Sequence, residues 1–235
     1  MTTSQVAALT TTQLAALDAS DIGEFAATQI AALTTAQVSA LAATQLAALA
    51  DTQVAALTAT QLGAISSTKF AALDETQVGA LTATQVGALS TLHLQALSNT
   101  EVSALDATQV AALNGTQLRG FTATQLASLA SGDFAEFSAS QVAQFSTTQV
   151  RGLSDTNIAA LADTQVAALT TAQVQALNTT NVNALSGTQV GALTTSQIGA
   201  LTTTNIADVS AAQIGALSTT QVQSYSFTTY APLRV

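Results

Sequence analysis

His93 is the single histidine in a chain of 235 residues that has no cysteine. An imidazole can bind a metal or move a proton, but either task needs partners: further His or Cys ligands, or a nucleophile and an orienting carboxylate. No such set accompanies His93, which reads instead as a substituted helix-capping residue on a solvated edge. Two carboxylate pairs, Asp21 with Glu24 and Asp133 with Glu136, stand three residues apart. On one helix face that spacing suits a cation or acid-base work, and it equally suits substituted caps. The residues therefore lead us to expect no catalytic site, no resident metal and no cofactor.

A different chemistry is concentrated between Asn114 and Leu153. Gly115, Arg119, Gly120, Phe121, Gly132, Asp133, Phe134, Glu136, Phe137, Gln144, Phe145, Arg151 and Gly152 fall here, including four of the seven phenylalanines. One reading is local repacking, with large Phe compensating for small Gly. The other is a contact patch built from Arg119, Phe121, Phe134, Phe137, Phe145 and Arg151, because arginine and aromatic side chains dominate interface hot spots. These six are the candidate binding residues.

The elements that must position them are all alike. From Thr2 to Leu233 the chain is 29 octads without an insertion or deletion. Within an octad, position 1 is Ser, Thr, Asp or Asn in 24 units and position 4 is Gln in 20. Positions 5 and 8 are apolar throughout. Ser or Thr followed three residues later by Gln is a capping box, and position 8 of one unit can staple to position 5 of the next. Ten of the thirteen acids occupy positions 1 to 4, at the positive end of a helix dipole, and Arg119 and Arg151 sit at position 6.

Each octad is thus expected to be one very short capped helix. A single long helix would drift about 80° per octad and wind its apolar stripe around the outside. Helices this short are unstable alone, so they must stack as a solenoid. Departures from Gln at Asp133, Asn157, Asn181, Asn205 and Thr229 recur every 24 residues, which points to three octads per coil and a triangular rod. The fold class is all-α. The competing fold, a triangular β-solenoid, draws on the strand propensity of Val, Ile and Thr but turns the leucine at position 8 outward. Residues 2–225 are expected to form one array of 28 octads, with 226–235 as a degenerate last octad and C-terminal cap.

Composition narrows the function. A net charge of -9 with four basic residues argues against nucleic acid, which is bound through lysine and arginine. Apolar runs stop at five residues, far short of the roughly 20 that span a bilayer. The N-terminus has no basic-then-apolar leader pattern. The phrases ALTTTQ, ALTATQVGAL and ALTTSQIGAL resemble octad arrays of bacterial proteins, often large, surface-associated or secreted, and labelled haem-utilisation or adhesion-like. That resemblance covers almost the whole chain and implies a bacterial structural or adhesive role. No haem or calcium motif accompanies it. The expected location is the cell surface or exterior without a cleaved signal, or the cytoplasm. The expected function is a non-enzymatic scaffold offering regular faces to a protein partner or stacking end to end with its own copies. The alternative is ice binding through rows such as Thr12, Thr60, Thr84 and Thr108 beside Thr10, Thr34, Thr58 and Thr82.

Overall fold

Every octad up to Leu201 starts a helix where the capping box says it should. In the computed structural model, which describes residues 1–206 and 209–229, helices such as Thr3–Ala7, Thr11–Ala15 and Thr35–Ala40 follow one another at eight-residue intervals. Position 1 is the N-cap. At Thr10, with φ −72° and ψ 157°, the hydroxyl accepts from the Gln13 amide at 3.1 Å while Gln13 Oε1 accepts from the Thr10 amide at 2.8 Å. Where Ala stands at position 1, as at Ala42, only the Gln half remains, a 2.8 Å bond from the Ala42 amide to Gln45 Oε1.

Each helix ends as regularly as it begins. The position-8 amide closes a tighter turn onto the position-5 carbonyl, as in Leu41 to Val38 at 3.2 Å. Position 8 then turns extended, with φ −53° and ψ 139° at Leu41. Two successive extended residues, positions 8 and 1, make the corner, and among the described residues no φ is positive. The bend therefore needs no glycine, which explains how an apolar residue, mostly Leu, followed by Thr, Ser, Asp, Asn or Ala can serve at every corner.

Helices pack on the helix three further along, so three octads make one coil. This is an α-solenoid, and no strand occurs among the described residues; the β alternative is corrected. The physical reason is that position 8 must face inward. Val38, Leu41, Leu46 and Val54 are at 0–3% exposure with Leu49 and Leu57, so positions 5 and 8 both line the core, as a helical octad allows and a two-residue alternation forbids.

The chain divides into two compact units, Met1–Phe121 and Thr122–Val235, and the boundary falls between two octads. Five coils fill the first unit. In the second, helix Thr219–Thr229 runs on through the point where the last octad would begin, and the rest of the expected cap, 230–235, lies outside the described residues.

Candidate functional site

The polar side chains that the sequence assigns to caps turn out to serve two coils at once. Gln37 Oε1 accepts from the Thr34 amide at 2.6 Å while its Nε2 donates to the carbonyl of Leu9, 28 residues back and one coil below, at 2.7 Å. The same donation joins Gln85 to Leu57 at 2.7 Å, Gln109 to Leu81 at 2.6 Å, Gln173 to Phe145 at 2.8 Å and Gln213 to Leu185 at 2.8 Å. These amides are buried, 2–4% exposed at most corners. A primary amide fits because it carries an acceptor and a donor on one planar group. The corner carbonyl would otherwise be an unpaired buried acceptor, which proteins rarely tolerate.

Substitutions at this position sort by which half they keep. His93 keeps both, with Nδ1 3.2 Å from the Ser90 amide and Nε2 2.7 Å from the Ile65 carbonyl. That pair of partners requires the tautomer protonated on Nε2. The ring is 5% exposed and lies 5.0 Å from the Phe70 ring, so the edge expected to be solvated is closed. Asn181 and Asn205 also keep both halves, reaching Leu153 at 3.1 Å and Leu177 at 2.7 Å. Lys69 keeps only donation, from Nζ to Ser39 O at 2.7 Å, and Glu101 only acceptance, from the Ser98 amide at 2.8 Å. The carboxylate pairs behave as caps in part: Asp21 accepts from the Asp18 amide at 3.1 Å, and Glu24 is the exposed C-cap of that helix. Asp133 is half-buried in the first turn of Ser131–Ala135, and Glu136 ends it. Among the described residues no group of three or more His, Cys, Asp or Glu could hold a metal ion.

Electrostatics are equally local. Asp74 is held below the ordinary aspartate range, first by the Thr76 hydroxyl donating to Oδ1 at 2.6 Å and then by the Gln77 amide; burial opposes them, and the Thr76 amide adds least.

The stretch from Asn114 to Leu153 spans both units, and its candidates separate by depth. Phe121, in the first unit, is 3% exposed, and in the second Phe134, Phe137 and Phe145 are 0%, 3% and 3% exposed. The three rings of the second unit form one cluster with centroids 5.3–6.2 Å apart. Arg119 and Arg151 are exposed, one in each unit. Each is followed by glycine for a steric reason. A Cβ on Gly120 would stand 2.9 Å from Cβ and Cγ2 of Thr91, and one on Gly152 would stand 2.9 Å from Cβ of Ala123. Arg151 borders an open cleft of about 470 Å³ in the second unit, edged by Thr147, Thr148, Gln175, Asn178, Thr202 and Thr204. The hydroxyls of Thr10, Thr34, Thr58 and Thr82 accept from Gln13, Gln37, Gln61 and Gln85 amides at 3.1–3.2 Å, which commits that row to caps. Thr12, Thr60, Thr84 and Thr108 remain exposed.

A family model described as the ALTTAQ repeat matches residues 54–91, 134–171 and 166–203. In those three segments the chain is similar to the ALTTAQ repeat. The matched segments lie in both units, and the octads between them keep the same caps and corners, so the geometry of the ALTTAQ repeat extends beyond the matched residues. No curated protein matches the chain. No described helix is long and apolar enough to cross a membrane.

The sequence reasoning missed the inter-coil donation. A signal for it existed: a capping box accepts Glu as readily as Gln, yet position 4 holds Gln 20 times and Glu once. Only a task that needs an N–H explains that bias.

Proposed function

We propose that this ALTTAQ-repeat chain is a non-enzymatic structural scaffold that offers regular faces to a protein partner or to copies of itself. The observation that supports it is where the polar chemistry goes. The buried amides and the His93 ring spend one hydrogen-bonding half on capping their own helix and the other on joining it to the coil below. What remains outward is a repeated surface of hydroxyls, small side chains and isolated larger groups: Leu92 at 62% exposure, Arg119 and Arg151. An exposed leucine among hydroxyls, and arginines in an acidic chain, are the kinds of group that interfaces use.

Photo-crosslinking amino acids placed singly at Leu92, Arg119 and Arg151, with the chain expressed in its own cell, test the reading. A discrete product recurring from one of these sites, with one protein or with a second copy, is the expected result. The absence of any discrete product from all three sites would overturn it.

A further inference from the structure

On one face of the first unit the octad phrase is altered in three successive coils. Helices Ser67–Phe70, Thr91–Ala96 and Gly115–Leu118 pack one on the next. With their caps they carry Lys69 where most octads have Gln, Leu92 where most have Thr, and Arg119 where Ala or Gly is usual. Leu92 is 62% exposed and Arg119 is exposed, while Lys69 is half-buried with its Nζ anchored on the Ser39 carbonyl at 2.7 Å. Leu92 and Arg119 flank a single close contact between coils. A Cβ on Gly120 would stand 2.9 Å from Cβ and Cγ2 of Thr91, so the Gly120 backbone lies directly on Thr91 and brings the residue before it close to the residue after Thr91. The charge around this pair is one-sided. Octads 66–73, 90–97 and 114–121 hold no Asp or Glu, and the acids between residues 50 and 121, Asp51, Asp74, Glu75, Glu101 and Asp106, all fall on the other two faces.

We propose that this face of the first unit docks an acidic peptide segment, whose carboxylates meet Arg119 and Lys69 while an apolar side chain between them covers Leu92. This rests on the scaffold reading and names the class of partner and the face it uses. Charge complementarity carries the argument. In a chain of net charge -9 the other faces repel such a segment, and this one presents two cations free of neighbouring carboxylates on its own octads. The Arg119 guanidinium suits a carboxylate through two parallel N–H bonds, and covering Leu92 removes apolar area from water. Stacked helices lie about 8–10 Å apart. Lys69 and Arg119, two coils apart, are therefore separated by about 16–20 Å along the face, and an extended segment rising about 3.3 Å per residue needs roughly six residues to meet both. Two cations are too few to hold a nucleic acid against this net charge.

The variants that test this return the chain to its own phrase. Lys69→Gln, Leu92→Thr and Arg119→Ala each restore the commonest residue of that octad position, so the caps and corners are kept, and circular dichroism checks that helix content is unchanged. Random nine-residue peptides displayed on phage are selected against the full chain. The enriched peptides should carry Asp or Glu on both sides of an apolar residue. A synthetic copy of one, followed by fluorescence anisotropy, should bind about tenfold more weakly to the Leu92→Thr or the Arg119→Ala chain, with a smaller loss for Lys69→Gln, and more weakly to every chain as salt is raised. No enrichment, enrichment of peptides without acids, or affinity unchanged in both the Leu92→Thr and Arg119→Ala chains would each overturn the acidic-segment assignment. If it is overturned while a crosslinker at Leu92, Arg119 or Arg151 still gives a discrete product, the scaffold reading stands without it; if no product forms either, both are removed.

Discussion

Replacing Glu101 by Gln should stabilise the first unit. Glu101 is 9% exposed and accepts from the Ser98 amide at 2.8 Å, so the cap half of its corner is made. A carboxylate has no N–H to give, and the 28-residue spacing makes the Leu73 carbonyl the acceptor it leaves without an inter-coil donor. The adjacent ladder shows what is lost: Gln77 reaches Leu49 and Leu46, the latter at 3.1 Å, and Gln109 reaches Leu81 at 2.6 Å. The substitution keeps the side-chain length and the accepting oxygen and adds the missing donor, so its effect is one net buried hydrogen bond, about 1–2 kcal/mol. For a chain of this size that raises a thermal midpoint by roughly 3–6 °C. Repeat arrays need not melt in one step, so thermal denaturation followed by circular dichroism should be paired with hydrogen exchange. Slowed exchange is expected in the helices Asn99–Ser103 and Glu75–Gly79 and in the corner at Leu73. The reverse change, Gln77→Glu, should cost a comparable amount by the same reasoning. A Glu101→Gln chain no more stable than the original, together with a harmless Gln77→Glu, would refute the two-coil role of the amide.

Three further outcomes follow from neighbouring geometry. His93→Gln should leave the melting temperature nearly unchanged, since Gln supplies the same acceptor and donor, whereas His93→Leu should lose both bonds and about 2 kcal/mol or more in a denaturant titration. Gly63→Ala, whose new Cβ would meet nothing within 4 Å, should stabilise by about 0.5–1 kcal/mol, while Gly120→Ala should destabilise because its Cβ would lie 2.9 Å from Thr91; paired thermal melts read the opposite signs. Asp74 has a folded-state pKa below its unfolded value. Its contribution is therefore present above the unfolded value and is lost as pH falls through the folded one. The stability gap between the original chain and Asp74→Ser, which keeps an acceptor without the charge, should shrink across that acid window in denaturant titrations.

How far the fold could be read in advance turns on what each residue type needs. The N-caps were legible because Thr10 and Gln13 satisfy each other within one octad, and a local hydrogen bond leaves a local pattern. Three octads per coil was legible because substitutions at position 4 repeat every 24 residues, and a difference between faces survives in sequence even when contacts do not. The corner was not legible: it rests on two extended residues rather than on glycine, so no turn residue marks it. Most consequential, the position-4 side chain was read by its accepting half alone. Gln, His, Asn, Glu and Lys all pass as cap substitutions in one dimension, yet Glu101 and Lys69 each fill only one half of what Gln37 does. The candidate binding stretch shows the same limit from the other side. Aromatic type alone cannot tell a core position from a surface one, and Phe134, Phe137 and Phe145 occupy the apolar positions 5 and 8 that the interior octads of both units bury. Arg119 and Arg151 at position 6 have no such obligation. Position within the octad, more than residue type, decides what can meet a partner, and in the interior octads the positions left outward are 1, 2, 3, 6 and 7.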